Sequence, residues 1–229
     1  MQTFQINTKE KREATGDLFG IFFEDINHAA DGGLYAELIQ NRAFEFDQID
    51  NKKYHALYAW MPCQLDEKNG QVDAADVSLT ILTESPYTKK NPHYLRITAN
   101  SAYAGVKNLG FNSGISLEGG ERYHFSCYLR KVDEPVKVKA CLIGKEGQIY
   151  ASCEITADAS DWKKYTADLE IAEGTSCTDA NLALVCMTPG SVEVDFVSLF
   201  PAHTYKNRPN GLRKDLCEML EAMHPKFIR

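Results

Sequence analysis

Leu18-Phe19-Gly20-Ile21-Phe22-Phe23-Glu24-Asp25-Ile26-Asn27-His28-Ala29-Ala30-Asp31-Gly32-Gly33-Leu34-Tyr35-Ala36-Glu37-Leu38-Ile39-Gln40-Asn41-Arg42-Ala43-Phe44-Glu45-Phe46 is the stretch on which the reading of the fold turns. It opens with a near-continuous apolar run, stops abruptly at Glu24 and Asp25, and turns through Asp31-Gly32-Gly33. An apolar run without alternation reads as a parallel strand buried between two layers. Carboxylates at its C-terminal end must sit in a cavity or at a sheet edge, and in a barrel of alternating strands and helices that end is where sites are built. Successive strand side chains point to opposite faces. Glu24 therefore shares a face with Gly20 and Phe22, and Asp25 with Phe19, Ile21 and Phe23. We take Glu24 as the site-facing member; the other reading leaves both as strand-end carboxylates held by backbone N–H groups or an arginine. Tyr35, Leu38, Ile39 and Arg42 recur at helical spacing and predict a short helix ending near Phe46.

Upstream, Thr3 to Asn7 reads as a first strand and Lys9 to Glu13 as a charged turn. Downstream the period changes. From about residue 53 to 201 the chain reads as β throughout, most clearly at 122–130, where Tyr123, Phe125, Cys127 and Leu129 alternate with His124, Ser126, Tyr128 and Arg130. Further strands are predicted at 136–143, 77–83, 94–99, 149–155, 162–171, 182–187 and 192–200. Turn signals Glu118-Gly119-Gly120, Lys145-Glu146-Gly147 and Thr188-Pro189-Gly190 lie among them. Short strands with one wet face each make a sandwich. After Pro201 the helical period returns: Asn210 offers an N-cap, Leu212, Leu216, Met219, Leu220 and Met223 line one face, Pro225 stops the helix, and Lys226-Phe227-Ile228-Arg229 reads as the start of another buried strand.

Composition narrows the function classes. The 229 residues carry a net charge of -7, with 44% hydrophobic and 25% charged residues. That is ordinary globular material with no basic footprint for nucleic acid. No run approaches the roughly 18 apolar residues of a membrane span, and the start lacks a secretory layout. Seven cysteines stand singly, without a CxxC pair. This pattern points to reduced thiols and a cytoplasmic address, or to a secreted or periplasmic one if a signal peptide has been removed. No cofactor and no metal are expected from His or Cys spacing.

Two segments carry a family resemblance. Gly20 to Gly33, followed by Tyr35-Ala36-Glu37-Leu38 and Asn41-Arg42-Ala43-Phe44-Glu45-Phe46, resembles the N-terminal signature of glycoside hydrolase family 51 α-L-arabinofuranosidases. Asn207 to Leu216 and Pro225 to Arg229 resemble a second family segment, which continues there into Phe-Pro-Gly-Gly. The resemblance implies a mainly β chain in which a jelly-roll β-sandwich, like a carbohydrate-binding module, is inserted into the opening βα elements of an incomplete (β/α)8 barrel. Its divisions are 1–48, first barrel strand and helix; 49–203, sandwich; and 204–229, next helix and strand. It implies cleavage of terminal arabinofuranosyl groups by a retaining mechanism needing two carboxyl groups about 5 Å apart. In the family both are glutamates on later strands, so no catalytic residue is assigned and the chain alone is expected to be silent.

Glu24 matches a glutamate that contacts arabinofuranose hydroxyls, and Arg229 an arginine opening the next strand of the site. Asn27 and His28 are candidates for the same rim. For sugar stacking, the aromatics outside the strand cores are Tyr54, Tyr58, Trp60, Tyr87 and Tyr103; for each, packing is the plainer reading. Glu193 and Asp195 are weighed as ligands of a structural calcium. The partners expected are arabinose-containing glycans and a second copy of the chain, since Leu212, Leu216 and Met223 would face solvent without further barrel helices; neither nucleic acid nor membrane is expected.

Overall fold

The computed structural model describes residues 3–7, 9–10, 16–66, 70–72 and 75–229. Among these, twelve strands build two antiparallel sheets. In chain order they are β1 (Trp60–Asp66), β2 (Gly70–Val72), β3 (Val77–Leu82), β4 (Tyr94–Ala99), β5 (Ala104–Asn108), β6 (Ile115–Leu117), β7 (Arg122–Lys131), β8 (Val136–Ile143), β9 (Ile149–Ala157), β10 (Lys163–Glu170), β11 (Cys177–Cys186) and β12 (Gly190–Pro201). One sheet runs β2-β1-β5-β11-β8-β9, with β6 on β11; the other runs β10-β7-β12-β4-β3. The architecture is the mainly β sandwich that the alternation at β7 and β8 implies.

The alternating faces settle where the core lies. Tyr123, Phe125, Cys127 and Leu129 of β7 and Val136, Val138, Ala140 and Leu142 of β8 point into one cluster with Leu95, Ile97, Val192, Val194, Leu182 and Leu184. Each such side chain, removed from water, contributes on the order of 2 kcal/mol. A second, smaller cluster on the outer face of the larger sheet joins Cys63, Leu65, Cys141, Ile143, Ala183 and Val185, with Tyr103 packed against it.

Four strands escape the sequence reading. β1 carries Pro62, β5 is the small and polar run Ala-Gly-Val-Lys-Asn, and β2 and β6 are three residues each. Gly105 in β5 is required by close approach: a Cβ there would lie 2.0 Å from the Leu184 carbonyl oxygen across the ladder.

Three expectations are corrected. Residues 3–7 form no strand and are exposed, Phe4 and Ile6 included; the charged turn expected at 9–13 lies partly outside the described residues. The helix expected after Asp31 does not form, because residues 36–44 are built into the sandwich instead. Ile39 and Phe44 are fully buried in its core, and Asn41 and Phe44 take positive φ of 54° and 59°. Glu37, fully buried, accepts hydrogen bonds from Leu199 N–H at 2.9 Å, Ile39 N–H at 3.1 Å and the Ser198 hydroxyl. Leu38 N–H and Val197 N–H bond to Leu199 and Arg42 carbonyls, so the segment clips onto β12 where its register shifts between Asp195 and Ser198. Local spacing loses here to tertiary hydrogen bonding. Third, the C-terminal helix α1 runs Lys214–Ala222, starting four residues after Asn210, which takes φ 48°; Arg213 occupies the N-cap without a side-chain cap bond.

The two ends of the chain meet. Residues 19–23 and 226–229 run parallel through Lys226 N–H to Phe19 O (2.8 Å), Ile21 N–H to Phe227 O (3.0 Å), Arg229 N–H to Ile21 O (2.9 Å) and Phe23 N–H to Arg229 O (2.7 Å). Gly20 permits this: a Cβ there would lie 2.5 Å from the Phe227 ring. Parallel neighbours need a crossover, and here the connection contains the whole sandwich and then α1. The sandwich is entered and left by an antiparallel stem, Tyr35 bridging Leu212, with Arg213 N–H on Leu34 O (2.9 Å) and Ala36 N–H on Gly211 O (3.2 Å). Among the described residues the first segment is paired on one side only, so the burial expected of it is not seen: Phe22 is 62% exposed and Ile26 58%.

Candidate functional site

The parallel pairing fixes the site candidates. Glu24 follows Phe23 directly, and Phe23 is bonded to Arg229, so both candidates sit at the same end of the paired segments. Arg229 also lies over the Phe22 ring at 5.6 Å. Glu24 is exposed. Asp25 is engaged elsewhere: its Oδ1 accepts Ala30 N–H at 3.1 Å, closing the turn that follows. Asn27 and His28 take consecutive left-handed conformations, φ 53° and 62°. Asn27 is exposed, while the half-buried His28 ring meets Phe111 of the sandwich edge-on at 5.2 Å. Phe111 also lies over Gly32, and two residues earlier Leu109 N–H bonds to Ala59 O at 2.9 Å.

That link brings in a stretch of aromatics. Phe46 and Tyr54 lie 4.5 Å apart between ring centroids, Tyr54 and Tyr58 4.7 Å, and Phe46 and Tyr58 6.0 Å in a stacked arrangement. Asn41 holds the segment through its amide, which donates to Ala56 O at 2.9 Å and Tyr58 O at 3.1 Å. Burial raises the Tyr54 phenol above its ordinary value, and the charges of Tyr58 and Asp25 add to that. Phe46 was visible in sequence only as part of the quoted run; its pairing with Tyr54 and Tyr58 needs the turn at Asn41.

The remaining aromatic candidates separate. Trp60 is 4% exposed, packs on Phe44 at 5.2 Å and donates its indole N–H to Asn41 O at 3.0 Å; its ring is a core element and is withdrawn as a stacking surface. Tyr103 packs on the outer-face cluster. Tyr87 is 43% exposed, its ring 4.0 Å from that of Tyr128 and their hydroxyls 2.9 Å apart. A cleft of about 450 Å³ is lined among others by Tyr35, Glu121, His203, Arg213 and Asp215. Glu24, Asn27, His28 and Arg229 do not line it, and His203–Glu121 (2.9 Å) and Arg213–Asp215 (2.5 Å) pair within it.

The calcium reading of Glu193 and Asp195 is not supported. Glu193 is held between Arg96, at 2.6 Å, and Arg130, so two guanidinium groups occupy the carboxylate. Asp195 is fully buried with Oδ1 on Phe196 N–H at 2.7 Å and Oδ2 without a partner among the described residues. Burial, with the charge of Glu45 adding to it, pushes its carboxyl up to about 8. Among the described residues no group of three or more His, Cys, Asp or Glu side chains is placed to hold a metal. Burial pushes the Cys63, Cys141 and Cys186 thiols up to about 12, which disfavours the reactive thiolate at these three positions.

Comparison with known proteins gives these positions a context. No protein-family model matches the chain. An extracellular exo-α-L-arabinofuranosidase of Streptomyces chartreusis is 37% identical over 214 residues, covering 93% of this chain and 23% of that protein. Alpha-L-arabinofuranosidase 1 of Arabidopsis thaliana is 32% identical over 223 residues, covering 93% of this chain and 30% of that protein. The chain thus spans under a third of either relative. Among solved structures, an arabinose-bound family 51 α-L-arabinofuranosidase superposes with a TM-score of 0.76 at 29% identity, over 93% of this chain and 34% of that one. In sequence and in fold, the chain matches the N-terminal region of the glycoside hydrolase family 51 α-L-arabinofuranosidases.

Proposed function

We propose that this chain is the N-terminal segment of a retaining α-L-arabinofuranosidase, in which Glu24 and Arg229 bind the terminal arabinofuranosyl group of arabinan, arabinoxylan or related oligosaccharides. The observation that carries this is the convergence of those two residues at one end of the parallel pair, within a chain whose relatives are named for that activity. A carboxylate accepts two ring hydroxyls at once, and Glu24 is exposed to do so. In this reading residues 1–48 and 204–229 open a (β/α)8 barrel and 49–203 form an inserted domain, into whose core residues 36–44 of the first division reach. The apolar groups left exposed on the flanking segments, Phe22, Phe227, Ile228 and Met219 among them, are the face that further barrel elements, or a second copy of the chain, would cover.

The chain by itself is proposed to be catalytically silent. Retention needs two carboxyl groups about 5 Å apart facing one sugar, whereas Glu24 and Asp25 are sequence neighbours and Asp25 is committed to its turn. The address is proposed to be cytoplasmic, supported by seven free thiols, of which five are buried; the Streptomyces relative is described as extracellular. No helix among the described residues is long and apolar enough to cross a membrane.

Calorimetric titration with arabinose tests the reading. Glu24→Ala is expected to weaken binding about ten-fold or more, as loss of charge-assisted hydrogen bonds requires, and the chain is expected to leave an aryl arabinofuranoside intact. Unchanged affinity in the variant, or clear turnover, would refute it. A second reading, a carbohydrate-binding sandwich, has support in the exposed Tyr87 on Tyr128; retardation by arabinoxylan in affinity electrophoresis, lost in Tyr87→Ala, would favour it.

A further inference from the structure

The sandwich occupies the connection after the first paired segment, and in an α/β barrel that connection emerges at the carboxyl end of the strand, where substrates bind. An inserted domain at this place can contribute to the site itself. What it presents there is the Phe46–Tyr54–Tyr58 stack. The stack is anchored by Asn41 through two backbone carbonyls and reaches the Glu24 turn by a short chain of contacts: Ala59 O to Leu109 N–H, then Phe111 onto His28. All three rings are partly buried and keep some accessible surface, with exposed His55 edge-on to Tyr58 at 6.1 Å. Neither the Tyr54 nor the Tyr58 hydroxyl bonds a described residue, and the charge of Asp25 is felt at Tyr54.

A core cluster buries its rings fully and satisfies its phenols; this one leaves its rings partly accessible and its phenols without a partner among the described residues. Partly accessible rings whose hydroxyls have no partner among the described residues suit a sugar, whose C–H face lies on a ring while its hydroxyls bond the phenol. Tyr87, 43% exposed, differs in that its hydroxyl is taken by Tyr128.

We propose that Phe46, Tyr54 and Tyr58 form a subsite for the sugar units to which the cleaved arabinofuranosyl group is attached, so that the inserted sandwich sets the preference for oligomeric and polymeric over small substrates. This rests on the proposed role of Glu24 and Arg229. It assigns the rings to the leaving part of the glycan and the two charged groups to the terminal sugar.

The test is carbon-13 NMR of the tyrosine rings in the 229-residue chain, titrated in parallel with a linear arabino-oligosaccharide and with methyl arabinofuranoside, whose aglycone is too small to reach the stack. Of the eleven tyrosines, Tyr54 and Tyr58, assigned through their Phe variants, are expected to shift with the oligosaccharide and not with the methyl glycoside. Tyr54→Ala and Tyr58→Ala should each weaken oligosaccharide binding up to about ten-fold, while Tyr54→Phe, which keeps the ring, stays within about three-fold. Glu24→Ala separates the two ideas: affinity for the methyl glycoside indifferent to that change sinks the Glu24 assignment and leaves the tyrosine readout standing. Shifts confined to other tyrosines, no shift at all, or equal losses on both ligands in the Tyr variants overturn the subsite.

Discussion

Asp195→Asn should make this protein more stable in alkali while changing little in acid. The carboxyl is fully buried on the outer face of β12, with one oxygen on Phe196 N–H and the other unpaired among the described residues. Burial is the main cause of its rise from 3.8 to about 8, with the charge of Glu45 adding to it. A carboxyl whose folded pKa lies above its unfolded one favours the native state in acid. That advantage fades as pH climbs from the unfolded value near 4 through the folded value near 8. Four units at about 1.4 kcal/mol each set a ceiling of about 6 kcal/mol. Relaxation around the charge brings the expected loss to about 2–4 kcal/mol. Asparagine keeps the oxygen that Phe196 N–H needs and never ionises. Urea unfolding of both proteins at about pH 4 and about pH 9 should therefore give near-equal stabilities at the lower pH and an advantage of about 2–4 kcal/mol for the variant at the higher. Glu37, also raised by its burial, is common to both proteins and cancels in the difference. Parallel curves, or a variant less stable at the higher pH, would show that the Asp195 carboxylate has a partner and would refute the argument.

Glu37→Ala removes the acceptor for Leu199 N–H, Ile39 N–H and the Ser198 hydroxyl together, and thermal unfolding should report a loss of about 3–5 kcal/mol, with unchanged stability counting against the clip onto β12. Gly20→Ala places a methyl 2.5 Å from the Phe227 ring; amide exchange should show Ile21 and Arg229 losing protection while the sandwich's global unfolding stays put. Cys63, Cys127, Cys141 and Cys186 are buried, so a thiol reagent should reach them only after denaturant is added, and rapid labelling of the native chain would contradict their packing.

Where two-residue alternation was strong, as in β7 and β8, sequence placed strand, face and core correctly. It failed where the local signal was ambiguous or overruled. Pro62 and Gly105 masked β1 and β5, although one fits its position in the sheet and the other answers a carbonyl across the ladder. Tyr35, Leu38, Ile39 and Arg42 imitated a helix because the acceptor that overrides it, Glu37 against β12, works over 162 residues of sequence separation. Asp195 was weighed from sequence as a calcium ligand, and only the folded chain shows it fully buried with Tyr87 and Arg42 drawn over neighbouring Phe196. At the candidate site, Glu24 is singled out by its place at the end of an apolar run as well as by family likeness, and Arg229 by likeness alone; the grouping of Phe46 with Tyr54 and Tyr58 depends on one asparagine side chain, which no periodicity reveals.

The stem at Tyr35 and Leu212 bears on the order in which the molecule assembles. Without it, joining 19–23 to 226–229 would close a loop of about 200 residues; once the sandwich and its stem are in place, the effective loop is about 25, a saving of about 2 kcal/mol in closure entropy. A contact between the chain's two extremities thereby becomes a late and nearly local step. The hairpin-like neck lets a whole domain be carried within one crossover while the distant partners still find each other at little entropic cost.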